Sequence, residues 1–133
     1  MNYVVTKNPE VAGVLVPWFV LSHGQTRASV LRELVERLVC WPEETFVCLA
    51  VEADKLKGFT VAYRKDRTEA FMWQARSEGM KRNEVDVAFA SVEKWAKGLG
   101  IRRLVAAPNR ALKLWCRRWG FTKLNEFEVC KEI

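Results

Sequence analysis

A chain of 133 residues and 15.4 kDa, half of them hydrophobic and 29% charged, can bury enough apolar surface to offset its folding entropy, which excludes intrinsic disorder and predicts one domain, 1–133. The 22 Lys and Arg against 16 Asp and Glu leave a net charge of +6, which permits an anionic partner such as a phosphate-bearing cofactor, a nucleic acid or an acidic protein and specifies none of them. The longest apolar stretch, Val11 to Leu21, is about half the roughly 20 residues a membrane span needs and contains Pro17, while Glu10 before it and His23-Gly24-Gln25 after it do not fit a secretory leader, so a cytoplasmic protein starting at Met1 is expected.

Tyr3-Val4-Val5-Thr6 reads as a β-branched strand closed by Lys7-Asn8-Pro9, with Pro9 placed to open a helix through the Val11 region that Pro17 kinks or divides. From Ala28 to Cys40, Leu31, Leu34, Val35 and Leu38 recur at helical spacing, with Arg32, Glu33, Glu36 and Arg37 on the other side. Trp41-Pro42 ends this helix. Two apolar strands, Thr45 to Glu52 and Gly58 to Tyr63, flank the charged turn Ala53 to Lys57, and a third, Glu69 to Ala75, follows the polar turn Arg64 to Arg67. The period then changes: Val85, Ala88, Phe89, Val92, Ala96 and Leu99 form a helical stripe that Gly98 and Gly100 can stop. Ile101 to Ala107 is a short strand, Leu112, Trp115, Cys116 and Trp119 mark a last helix ended by Gly120, and Phe121 to Ile133 supplies one or two closing strands. The strand-helix-strand passage from Glu69 to Ala107 implies a parallel pair with a crossover, so the class is mixed α/β. Cys40, Cys48, Cys116 and Cys130 show no C-x-x-C spacing and only His23 could join them, so they read as reduced core cysteines, with no metal site expected.

Two segments carry a family resemblance. Ala107 to Phe121 places Asn109 after a strand, then an amphipathic helix with an aromatic near its middle, then Gly120-Phe121 opening the next strand; Glu93 to Leu104 gives a helix end and the strand that follows. With the element order, these resemble the GNAT superfamily of acyl-CoA-dependent N-acyltransferases, including short members such as the acetyltransferase-like proteins of bacteriophages. The likeness covers nearly the whole chain as topology and Glu69 to Phe121 as sequence. It implies a single-domain GNAT-like α/β fold, a mixed central sheet of six to seven strands flanked by about four helices, with acetyl-CoA as donor to an unidentified small-molecule or protein amine.

The same resemblance implies that two adjacent parallel strands splay apart and the pantetheine arm inserts between them. The backbone of Trp73, Gln74 and Ala75 would pair with its amides, and Asn109 would lie among the cofactor positions. The pyrophosphate would sit along Lys81, Arg82, Asn83, Glu84 and Val85, at the N-terminus of a helix beginning near Asn83, where free N–H groups and the helix dipole favour anions. The family's loop reads Gln or Arg, two residues, Gly, one residue, Gly or Ala. Counting back from Gly100, these positions hold Met80, Asn83 and Val85, and none is kept. Glu84 and Asp86 fall in the first turn, where carboxylates compete with a bound anion. Two readings stand: Asn83 caps a helix whose start Glu84 and Asp86 favour, or Gly79 shifts the loop and Lys81 with Arg82 supply the charge.

Acyl transfer from a thioester to an amine needs a base for the amine proton and an acid for the thiolate. The family commonly has a Tyr four residues before Gly-Phe; here that position is Cys116, beside Trp115. A thiol can supply a proton, its pKa lying near 8.5, which makes Cys116 a candidate acid, yet it shares an apolar stripe with Leu112 and Trp119, so a buried structural cysteine is the expected reading. Glu69 on the fourth strand and Glu78 near its end are candidate bases through water, and both also read as solvated carboxylates. His23 can be a base, an acceptor contact or a plain surface histidine. Arg110, Lys113 and Arg117 share a helix face that Arg118, Arg102 and Arg103 extend; a solvated basic face is expected rather than a nucleic-acid site, since Trp115 and Trp119 follow the apolar stripe. Two functions follow: an N-acetyltransferase, or a GNAT-like module without acyl-CoA chemistry that serves binding or assembly, as in a phage virion or host-interaction component. The altered loop and the missing Tyr favour the second, the retained Asn109 to Phe121 segment is neutral because it also holds the fold together, and the N-acetyltransferase is the leading expectation.

Overall fold

Alternating β-branched and aromatic residues build the sheet from the N-terminal side. In the computed structural model, which describes residues 1–108 and 111–133, β1 (Asn2–Val5), β2 (Thr45–Glu52), β3 (Lys55–Arg64) and β4 (Glu69–Ser77) form an antiparallel succession. Helix α3 (Arg82–Gly98) then crosses over to β5 (Arg103–Ala106), which pairs parallel with β4. After α4 (Leu112–Trp119), β6 (Thr122–Lys123) and β7 (Val129–Glu132) complete a seven-stranded sheet in the order β1-β2-β3-β4-β5-β7-β6. Asn109 and Arg110, named above as a cofactor position and part of the basic face, lie outside the described residues. Among the described residues no helix is long and apolar enough to cross a membrane.

The sheet has two cores. On one face α1 (Val11–Leu15) and α2 (Arg27–Cys40) bury Ala12, Leu15, Val30, Leu34 and Leu38 against Val47, Phe59 and Val61. On the other, Val92 and Ala96 of α3 and Trp115 of α4 pack on Phe46, Ala62, Met72 and Leu104. Pro17 divides the first helix as expected, turning the chain into a 3-10 segment over Val16–Trp18. Helix α2 begins at a reciprocal cap: Thr26 Oγ1 accepts the Ser29 N–H and Ser29 Oγ accepts the Thr26 N–H, each at 3.1 Å. Gly120, at φ +78°, ends α4 in a conformation that a side chain would strain.

Several expected details are corrected. The buried row of α2 is Val30, Leu34 and Leu38, and Leu31 is exposed. Cys40 is exposed at the end of α2 rather than in the core, because it stands about 200° around the helix from buried Leu38. The hairpin between β2 and β3 turns on Ala53 and Asp54 alone, at φ +50° and +60°, the geometry whose twist suits adjacent strands. Hence β3 starts at Lys55 rather than Gly58, and Lys57 bulges between the pairs Ala50–Gly58 and Val51–Leu56. Helix α3 starts at Arg82 with Lys81 in the cap position, so Asn83 is inside the helix and is not its cap.

Candidate functional site

The site arises where two paired strands part. β4 and β5 are in register from Glu69–Arg103 to Met72–Ala106, after which β5 ends and β4 runs on to Ser77 with no strand beside it on that side among the described residues. A bulge in β4 lies at the same point: Ala62 pairs with Met72 and Val61 with Gln74, leaving Trp73 as the extra residue. A bulge places two successive side chains on one face. Trp73 accordingly packs edge-on to Phe19, ring centroids 5.4 Å apart, while Gln74 reaches the neighbouring loop, its Nε2 donating to the Val20 carbonyl and its Oε1 accepting the Val20 N–H, both at 3.0 Å. Arg76 donates to the Trp18 carbonyl at 3.1 Å, and Arg27 to the Val16 carbonyl at 2.6 Å. The segment 16–20 is thus held against β4 as a fixed wall.

Two cavities open on either side of this divergence. One of about 380 Å³ lies under α3 and α4 and is mainly apolar, bounded by Tyr3, Ala50, Thr60, Phe89, Leu114 and Trp119. The other, about 270 Å³, lies on the α1/α2 face and is bounded by Ser22, Gln25, Glu33, Tyr63, Phe71 and Trp73. Ala75, Ala111 and Trp115 border both. Trp115 is fixed there by aromatic packing, its ring 4.9 Å from Phe89 and 5.1 Å from Phe121. Close approach at the end of β4 demands a glycine: a Cβ on Gly58 would meet the Arg76 carbonyl oxygen at 2.5 Å and the Met80 sulfur at 2.6 Å. Met80 therefore packs onto the one position of β3 with no side chain.

In the second cavity Glu33 Oε1 accepts from Arg37 Nε at 3.4 Å and from a terminal nitrogen of the guanidinium at 3.3 Å, and that guanidinium stacks 3.6 Å from the centre of the Tyr63 ring. Burial raises the pKa of the Tyr63 phenol, with Arg37 lowering it and Glu33 raising it, so the hydroxyl keeps its proton as a donor. At the start of α3, Glu84 accepts the Lys81 N–H at 2.7 Å, and its carbonyl accepts the Tyr3 hydroxyl at 2.7 Å. Asp86 binds α3 to α4, accepting the Trp119 indole N–H at 2.9 Å and Arg118 at 3.3 Å. The Trp119 bond first, then Arg118, holds the Asp86 carboxyl below the usual carboxylate range. Burial raises the pKa of the Cys48 thiol and the Tyr3 phenol, so both face the apolar cavity uncharged.

No protein-family model and no curated protein sequence matches this chain. Solved structures match it over its whole length. The PaiA N-acetyltransferase from Thermoplasma acidophilum, in complex with coenzyme A, is 15% identical with a TM-score of 0.69, all of both chains covered. An acetyltransferase of the GNAT family from Streptococcus pneumoniae is 15% identical with a TM-score of 0.64, covering 99% of this chain and 100% of that one. A predicted acetyltransferase with acetyl-CoA from Clostridium acetobutylicum is 12% identical with a TM-score of 0.72, covering 95% and 92%. This chain has the GNAT fold. At these identities the likeness is one of fold, and the site has to be read from its own residues.

In this GNAT fold the residues singled out from the sequence fall into two groups. Trp73, Gln74 and Ala75 lie on β4 where it leaves β5, and Lys81, Arg82, Asn83, Glu84 and Val85 form the start of α3, with Val85 bordering the apolar cavity. Glu78 borders that cavity too, in an ion pair with Arg76 at 3.0 Å. Glu69 stands at the opposite end of β4, where the strands are still paired, 3.9 Å from Arg103, and borders neither cavity. Cys116, one position past Trp115, is turned about 100° around α4; it is half-buried on the core and also borders neither. His23 is exposed on the loop before α2. The basic face is divided, because Arg118 is engaged by Asp86 and the Arg82 carbonyl, and Arg103 by Glu132. Glu33 and Tyr63 were not singled out. The available signal was that Glu33 directly precedes buried Leu34, which places it at the margin of the apolar stripe rather than opposite it.

Proposed function

We propose that this protein is an N-acetyltransferase that moves an acetyl group from acetyl-CoA to an amine, the donor lying on the α3/α4 side of the sheet and the acceptor on the α1/α2 side. The observation that carries this reading is the pair of cavities meeting at Ala75, Ala111 and Trp115 where β4 and β5 diverge. Two reactants held in separate cavities at one gap gain the proximity that bimolecular transfer needs. The pantetheine arm suits the free edge of β4 at Trp73 to Ala75, since a strand edge offers amide partners at regular spacing. Lys81 and Arg82 offer charge to the phosphates, while Glu84 occupies one of the N–H groups they would use.

Bound acetyl-CoA would supply a thioester whose acyl carbon the amine nitrogen attacks, so that the C–N bond would form, the C–S bond would break and the thiolate would take up a proton from solvent, to which Glu33 would return the one it receives. Glu33, the carboxylate on the acceptor side, receives the proton the attacking nitrogen sheds, directly or through one water. The Tyr63 hydroxyl donates a hydrogen bond within the acceptor cavity. Trp115 has no ionisable proton; it shapes the gap and keeps water from it.

A second reading, a GNAT-fold binding module without transfer chemistry, is favoured by the Glu84 carboxylate on the Lys81 N–H. Thermal unfolding with and without acetyl-CoA, with calorimetric titration, separates the two. Donor at about 100 times its dissociation constant stabilises by roughly 2.7 kcal/mol, a midpoint rise on the order of 10 °C for a domain of this size. No rise at millimolar acetyl-CoA would reject the transferase and leave the binding module.

A further inference from the structure

We infer that the acceptor is a compact primary amine with an aromatic or apolar body and no carboxylate, its ammonium held by Glu33; this rests on the transferase reading for its consequence but not for its binding test. Three features of the α1/α2-side cavity lead there.

The first is charge. Among the described residues bordering the cavity, Glu33 is the one with a formal charge. A carboxylate brought into it would face the Glu33 carboxylate, whereas an ammonium would be paired. Arg37 does not fill that role, because it lies on the Tyr63 ring and is not on the cavity wall. Its contact with Glu33 is a long, part-exposed pair one helical turn apart, engaging Oε1 at 3.3 to 3.4 Å. Such pairs are weak, so an incoming ammonium can take the other oxygen without dislodging the guanidinium, which the ring holds in place.

The second is the wall. Tyr63, Phe71, Trp73 and Trp115 surround the space, with Tyr63 edge-on to Trp73 at 5.7 Å and tilted to Phe71 at 5.7 Å. Aromatic walls reward an apolar body and also attract a cation. The third is the polar inventory. Gln74 is committed to both backbone groups of Val20, and Gln25 Oε1 accepts the Ser22 N–H at 2.8 Å. Among the described side chains the Ser22 and Tyr63 hydroxyls and the Gln25 Nε2 remain beside Glu33 as polar contacts, and a volume of about 270 Å³ suits a small acceptor.

The test uses phenethylamine and L-phenylalanine, which share a ring and an amine and differ in the carboxylate, titrated calorimetrically into the full chain. Phenethylamine is expected to bind at least about tenfold more tightly. Glu33→Gln should weaken phenethylamine by a similar factor and leave the acetyl-CoA midpoint shift unchanged. Equal or tighter binding of phenylalanine, no binding of phenethylamine at high millimolar concentration, or unaltered affinity in Glu33→Gln each overturns the inference. The two ligands on the unsubstituted protein decide the matter even where the variant fails to fold. Phenethylamine binding without any acetyl-CoA shift would reject the transferase and keep this site; an acetyl-CoA shift without phenethylamine binding would do the reverse.

Discussion

The Glu84 carboxylate accepts the backbone N–H of Lys81 at 2.7 Å, so α3 brings its own anion to the end of the helix where a diphosphate would be received. The two compete for the same partial positive charge. Glu84→Gln keeps an oxygen acceptor for the Lys81 N–H and removes the charge. Acetyl-CoA should then bind about two- to fivefold more tightly, the scale of one charge at a helix terminus. Glu84→Ala should in addition lower stability by roughly 0.5–1 kcal/mol through the lost cap. Calorimetric titration and urea unfolding read the two effects, and weaker binding in Glu84→Gln would show that the carboxylate is no competitor.

Asp86 predicts an acid limb of stability. Its pKa is lowered in the folded chain by the Trp119 indole N–H and by Arg118, so its contribution is present above the unfolded value of about 3.9 and is lost as pH falls through the lower folded value. Asp86→Asn should therefore melt below the unsubstituted protein at pH 7, and the gap should close as pH is taken well below about 4. A gap that persists in acid would mean the loss is one of packing between α3 and α4, not of charge.

Sequence periodicity located α2, α3 and α4 because burial sets that period, as Val92 and Ala96 on α3 and Trp115 on α4 illustrate, while Pro9 and Pro17 placed α1 and the short 3-10 turn Pro42–Glu44 went unread. What it could not deliver was the consequence of pairing. The β4 bulge at Trp73 depends on which β3 residue faces it, so the placement of Trp73 and Gln74 on one face has no local signature. Glu69 seemed as good a base as any strand carboxylate until the register put it at the closed end of the β4–β5 pair. Glu33 was overlooked for the converse reason: charged residues on an amphipathic helix read as solvated, and only packing of α2 beside β3 and β4 turns this one onto a cavity. The start of α3 was missed by a residue, because Asn is the better cap by propensity and Lys81 took the place with Glu84 as its acceptor.

Gly58→Ala tests the tightness of the β3–β4 end. The new Cβ would lie 2.5 Å from the Arg76 carbonyl oxygen, which is backbone and cannot swing aside. The substitution should cost on the order of 1–3 kcal/mol, as overpacking does. Unchanged urea unfolding would mean that β4 shifts freely there, and with it the mouth between the strands.

Cys116→Ser and Glu69→Gln should each leave any acetyl-transfer rate within about twofold, since neither side chain borders a cavity. Removing a true acid or base costs about 100-fold or more. A loss of that size in either variant, with the thermal midpoint retained, would return the chemistry to that residue.

Ala75 supplies the most direct test of the gap itself. It borders both cavities from the free edge of β4 and is exposed, so a larger side chain there meets space rather than core. Ala75→Leu should leave the thermal midpoint within about 2 °C, as exposed substitutions do, yet obstruct the point where donor and acceptor meet. Because misplacing a reacting group by an ångström can cost about 100-fold, transfer should fall at least tenfold even where each substrate alone still binds. Full activity in Ala75→Leu would mean that transfer occurs elsewhere, and the two cavities would then have to be read as separate sites.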